Sequence, residues 1–107
     1  MRTMGKAAEE RRLRSKHVGG VLRKLRERAG QTQQELAAKL SYSSAQFISN
    51  WERGVALPPL EVLPRLSALW KVPPRVLVEA FYKYQEAVLR LEKKRLIAKL
   101  AKAPRRS

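Results

Sequence analysis

The sequence predicts an all-α fold of five helices, the last long and partly projecting. Two observations carry this. Apolar residues recur at three- and four-residue steps, the spacing of helices buried on one side. Glycine or proline stands where most of these stripes stop, at Gly30, Gly54, Pro58 with Pro59, and Pro73 with Pro74.

The first core helix is expected over Ser15–Ala29, with Val18, Val21, Leu22, Leu25 and Ala29 as its stripe. Gly30 can end it. Gly19 and Gly20 are poor helix formers, at roughly 1 kcal/mol each against alanine. They point to close packing or to a frayed start near residue 17. Upstream, residues 7–16 could extend this helix or form a flexible arm, and partial order is the expectation.

Thr32 opens the second helix. In "TQQE" the threonine can accept from the Glu35 amide while Glu35 reaches back, a capping box. Leu36, Ala37 and Leu40 then face inward. "SYSS" (41–44) is a turn, with Ser44 the expected N-cap of a third helix that stops at Gly54. On that helix Ile48 and Trp51 share one face, and Gln46, Asn50 and Arg53 share the opposite one, with Ser49 beside them.

A fourth helix is expected after the loop "VALPP", with Pro59 in its first turn and Leu60, Leu63, Leu66, Leu69 and Trp70 inward. Pro64 is awkward, because it removes a bond to the Leu60 carbonyl unless that turn is still the helix start. From Arg75 to about Lys102 no proline or glycine occurs. Leu77, Phe81, Tyr84, Val88 and Leu91 form one stripe of this fifth helix; Leu89, Leu96 and Leu100 form another. Its first two turns are expected to close the domain and the rest to project.

At 107 residues the chain suits one domain with a modest core. The divisions expected are a basic arm over 1–16, a core domain over 17–80, and a helical extension with a basic tail over 81–107. Cysteine is absent, so disulfides and thiolate metal sites are excluded. His17 is the lone histidine and has no partner at metal-ligand spacing. No catalytic set, metal site or cofactor site is expected. "GG" at 19–20 is not a phosphate loop. The N-terminal stretch lacks the apolar centre of a secretory signal, and no run of about 18 apolar residues occurs. A cytoplasmic, nucleoid-associated protein is expected.

The formal charge is +15, from 24 Lys and Arg against 9 Asp and Glu. Residues 1–16 carry net +4 and residues 93–107 net +7, so the two ends hold most of the excess. A solvating tail usually mixes both signs. This balance implies an anionic partner, most often nucleic acid.

Helices two and three joined by a tight turn form a helix-turn-helix pattern. There the chain resembles the lambda-repressor-like (XRE-type) helix-turn-helix regulators. The residues that carry the resemblance are "LRKLRERAGQTQQELAAKL" (22–40), "ISNWERG" (48–54), "PPLEVLPRLSAL" (58–69) and Val72, and it covers roughly 17–80. One departure is visible. The connection "LSYSSAQFISNWERG" is one residue longer than the commonest spacing, and Ser41 replaces the usual turn glycine. The extra residue is expected to sit in the turn.

The resemblance implies double-stranded DNA as partner and a recognition helix in the major groove. The positions matching Ala45, Gln46 and Asn50 then touch bases, and Ser49 beside them can contact several bases. Gln and Asn can each pair bidentately with adenine. The position matching Gln33 grips a phosphate beside a helix terminus; Ser43, Ser44 and Arg53 are further phosphate candidates. Arg26 and Glu52 match a pair that ties helix one to the end of helix three inside the domain. Phe47 could meet a thymine methyl, touch a partner subunit or pack on the flank, and packing is the expectation. The exposed stripes of the last helix suggest a homodimer. The competing classes are a toxin-neutralising or other protein-binding module, and a basic binder of RNA or membrane surfaces.

Overall fold

The computed structural model describes residues 5–102. Residues 1–4 and 103–107, parts of the two basic ends, lie outside the described residues. The chain runs through α1 (Lys6–Arg14), a π-helical turn (Ser15–Gly19), α2 (Gly20–Arg28), α3 (Gln33–Lys39), α4 (Gln46–Glu52), a 3-10 turn (Leu60–Val62), α5 (Leu63–Trp70) and α6 (Pro74–Ala101). No strand occurs among the described residues. The fold is all-α, and the described residues form five helical rods because α1, the π turn and α2 are continuous.

The core gathers Val18, Leu22, Leu36, Ala37, Leu40, Ile48, Trp51, Val62, Leu63, Leu66, Trp70 and Leu77, with Tyr84 at its edge. Most core residues fall on the stripes that the three- and four-residue spacing predicts, with two exceptions: Leu60 is 70% exposed, because the 3-10 turn puts Val62 inward in its place, and Ala29 is exposed at the end of α2. Polar side chains then close the helix ends. Thr32 Oγ1 accepts from the Glu35 amide at 3.0 Å, and the Thr32 amide donates to Glu35 Oε1 at 3.1 Å, completing the capping box. Arg65 on α5 donates to the carbonyls of Lys39 and Leu40, both at 3.2 Å, and so serves the unpaired end of α3.

Three helices end in one motif. After α2 the Gln31 amide donates to the Arg26 carbonyl and the Gly30 amide to Glu27. After α3 the Tyr42 amide donates to Ala37 and the Ser41 amide to Ala38; after α4 Val55 donates to Asn50 and Gly54 to Trp51. This paired-bond ending needs one residue in the left-handed region. Gly30 (φ 70°) and Gly54 (φ 74°) supply it without strain, whereas at the end of α3 Ser41 adopts φ 63°.

Several expectations are corrected. The helix over 15–29 begins nine residues earlier, at Lys6, because the π turn carries it through Ser15–Gly19. The π turn lies against the end of α4 with backbone touching backbone. A β-carbon on Gly19 would collide with the Glu52 carbonyl, and one on Gly54 would lie 2.5 Å from the Arg11 oxygen and 2.6 Å from the Ser15 nitrogen. Gly19 is thus a close-packing glycine, not a frayed start. Ala45, not Ser44, is the N-cap of α4; Ser44 Oγ instead accepts from the Gln46 amide at 2.9 Å. Pro59 precedes a 3-10 turn rather than opening α5. That turn delays α5 to Leu63, so Pro64 falls in its first turn, where a missing amide is harmless.

Tyr84, Val88 and Leu91 do not wait for a partner chain, because α1 of the same chain lies along them. Tyr84 is 9% exposed, and Leu13 and Val88 pack onto the core. Arg14 Nη1 donates to Tyr84 Oη at 2.9 Å, and Arg95 Nη2 pairs with Glu9 at 2.8 Å. Coverage thus reaches Arg95, far beyond the first two turns. Leu89, Leu96, Ile97 and Leu100 remain exposed. At 1.5 Å per residue a 28-residue helix is about 42 Å long, which accounts for much of the molecule's 64 Å length.

Candidate nucleic-acid interface

The turn between α3 and α4 aims α4. Tyr42 is the residue that does this, and its place in a turn hid it in the sequence. Its ring stacks on Phe47 with centroids 4.8 Å apart and meets Trp51 edge-on at 5.4 Å. Aromatic pairs of these geometries add to burial by about 0.5–1.5 kcal/mol. Phe47 is therefore occupied by packing on one side. Ile48 and Trp51 are buried against the core, which turns the opposite face of α4 outward.

That outward face is one hydrogen-bonded unit. Gln46 Nε2 donates to Asn50 Oδ1 at 2.8 Å. Arg53 Nη2 donates to the same oxygen at 3.0 Å, and Arg53 Nε donates to Ser49 Oγ at 3.1 Å. Asn50 Oδ1 thus accepts twice, which leaves its amide N–H groups as the side chain's remaining donors. Ala45 sits at the head of this face, with Ser43 and Ser44 exposed in the turn before it.

Behind this face, Glu52 is buried at the end of α4. Arg26 Nε donates to Glu52 Oε2 at 2.6 Å and Nη2 to Oε1 at 3.0 Å. The side chains are 11% and 5% exposed. Arg26 Nη1 also donates to the Gln31 carbonyl at 2.7 Å. The hydrogen bond to Glu52 raises the Arg26 pKa further above its already high value, so the guanidinium stays charged. Arg26 and Glu52 therefore face each other and not the surface.

Gln33 joins this pair. Its Nε2 donates to Glu52 Oε1 at 3.0 Å, which pins the side chain at the start of α3. An amide nitrogen carries two hydrogens, so one N–H remains for an outside acceptor. The structure thus draws Gln46, Ser49, Asn50 and Arg53 together, places Ser43, Ser44 and Ala45 beside them, and holds Gln33 through Glu52.

Arg14 also positions the site, although no local pattern in the sequence marks it. Arg14 Nε donates to the Gly54 carbonyl at 2.9 Å while Nη1 binds Tyr84, so it links α1, the end of α4 and α6. In sequence it is one of six basic residues near the N-terminus, with nothing to mark it.

Among the described residues no group of three or more His, Asp or Glu could hold a metal, and no helix is long and apolar enough to cross a membrane. No curated protein and no solved structure matches the chain. A family model described as a helix-turn-helix domain matches residues 17–81, well over half of the chain. That span contains α2, α3, the turn, α4 and α5. With two helices joined by a turn, the second presenting an outward polar face, the chain belongs to the family of helix-turn-helix domains, a DNA-binding fold.

Proposed function

We propose that this protein binds double-stranded DNA sequence-specifically through the major groove, as a non-enzymatic transcriptional regulator of the cytoplasm and nucleoid. The observation that carries the reading is the bonded outward face of α4, Gln46–Asn50–Arg53–Ser49. A recognition helix presents such side chains to base edges. The internal bonds hold the Asn50 and Gln46 amides in one orientation before DNA arrives, so less freedom is lost on binding. Ala45 and Ser49 complete the base-reading set. Gln33, Ser43, Ser44 and Arg53 hold phosphates, which fix register without reading sequence.

A two-fold dimer through α6 belongs to this reading. It would hold two recognition helices about 34–36 Å apart, one turn of DNA. Its support is the apolar stripe that α1 leaves uncovered, Leu89, Leu96 and Leu100, with Ile97 beside it. Sedimentation equilibrium of the intact chain tests it; monomer mass with and without palindromic DNA removes the dimer.

The test of the main reading is selection of binding sites from random duplex DNA, repeated with Gln46→Ala and Asn50→Ala. Each substitution should relax preference at one base position, by about 1–3 kcal/mol. If both variants select the same sites with the same preference, α4 does not read bases.

A further inference from the structure

We infer that the cleft between α1 and the end of α4 is a second phosphate-binding site, which takes the sugar-phosphate backbone of the DNA that α4 holds. The inference rests on the proposed DNA reading and adds to it a helix outside the 17–81 family match.

The cleft is a shallow, open depression of about 490 Å³, lined by Ala8, Arg11, Arg12, Ser15, Lys16 and Arg53. Four of these six are cationic and none is acidic. The floor is small, Ala8 and Ser15, and the rim is charged. Residues 8, 11, 12 and 15 lie on one helical face. Of the two acids on α1, Glu9 is paired with Arg95 of α6, and neither Glu9 nor Glu10 lines the cleft. Arg11, Arg12 and Lys16 are exposed, and among the described residues no ion pair or side-chain hydrogen bond engages them. Three adjacent cations without an internal partner repel one another and favour an anion between them.

The cleft is continuous with the reading face. Arg53 is a wall of the cleft and also the last member of the α4 face, through its bonds to Ser49 and Asn50. A backbone held by Arg53 therefore leads directly between Arg11 and Lys16. The placement is rigid. Gly54 brings the chain after α4 against the Arg11 and Ser15 backbone at distances that no β-carbon would allow, and Arg14 donates to the Gly54 carbonyl at 2.9 Å. The cations thus sit on a helix fixed to the recognition helix, not on a loose arm. Guanidinium groups match phosphate oxygens in paired geometry, and lysine adds a point charge.

The test uses the full chain and a duplex obtained by site selection. Arg11→Gln with Lys16→Gln removes two charges and keeps good helix formers in place. Fluorescence anisotropy at several salt concentrations should show weaker binding to the selected duplex and to a scrambled one by the same factor. The salt slope should fall by about 1 for each lost contact. Ethylation interference should show phosphates flanking the site losing their effect in this variant, with base protections in the major groove kept. The comparison variant, Arg75→Ala with Lys83→Ala, removes two exposed cations of α6 and should leave slope and interference as they are. Inorganic phosphate at millimolar concentration should not reproduce the effect, because the site takes phosphates already held by the duplex; equal competition from free phosphate would make this a small-anion site and overturn the proposal. An unchanged slope in the Arg11/Lys16 variant, or an equal change in the Arg75/Lys83 variant, also overturns it while leaving DNA binding intact. If the wild-type chain binds no duplex at all, the DNA reading itself falls, and this site with it.

Discussion

Arg26 and Glu52 are joined by two hydrogen bonds, 2.6 and 3.0 Å long, across the interface between α2 and the end of α4. The pair is nearly sealed from water, and Gln33 donates to the same carboxylate. Removing one partner of such a pair leaves a buried charge uncompensated, at about 3–5 kcal/mol. Arg26→Ala should therefore lower the melting temperature steeply, as read by circular dichroism. A variant with unchanged melting temperature and lost DNA binding would place Arg26 on the nucleic acid instead.

The two adjacent glycines should respond with opposite sign. A β-carbon on Gly19 would strike the Glu52 carbonyl and lie 2.8 Å from the Trp51 oxygen, so Gly19→Ala must push α4 away from the π turn. On Gly20 the nearest atom would be the Ser15 oxygen at 3.5 Å, an ordinary contact. Gly20 is helical, so alanine there should stabilise by about 0.5–1 kcal/mol. Urea unfolding of the two single variants checks this, and equal midpoints would refute the packing described for Gly19.

Ser41 occupies a left-handed conformation, at φ 63°, that glycine supplies at the ends of α2 and α4. For a residue with a β-carbon this conformation costs about 1–2 kcal/mol. Glycine relieves it but loses more freedom on folding. Ser41→Gly should therefore stabilise by up to about 1 kcal/mol in the same urea assay. Ser41→Val, with a branched β-carbon in that region, should destabilise.

Acidification toward pH 5.5 should destabilise the protein through His17. Burial first, then the charges of Lys16 and Lys83, lower its pKa below the ordinary value of about 6.5. Glu79, with Val21 and Lys83, lines a separate shallow cleft beside His17, between the π turn and α6. The folded protein thus resists the proton that the unfolded chain accepts. Stability from this group is complete above the unfolded pKa and is lost as pH falls through it toward the lower folded value. Melting temperatures at pH 7.5 and 5.5 should differ in the wild type and differ less in His17→Gln. An equal drop in both would exclude His17 as the source.

Features set by local chemistry are readable from the amino-acid order. The capping box at Thr32 and Glu35, the stops at Gly30 and Gly54, the apolar stripes and the two faces of α4 depend on spacings of three or four residues. Those spacings are the same in any helix, whatever surrounds it. The outward set Gln46, Ser49, Asn50 and Arg53 is legible for that reason, since burying Ile48 and Trp51 turns the other side outward. Tertiary structure alone decided the rest. Lys6–Arg14 is polar, and no periodic stripe marks it as a packed helix. It is held by Leu13 and by contacts from far along the chain, Glu9 with Arg95 and Arg14 with Gly54 and Tyr84. The π turn, the backbone contact at Gly19, the role of Tyr42 and the covering of Tyr84 and Leu91 likewise come from partners remote in sequence. Such partners leave no local pattern, because any residue of suitable size and charge can meet another once the chain has folded.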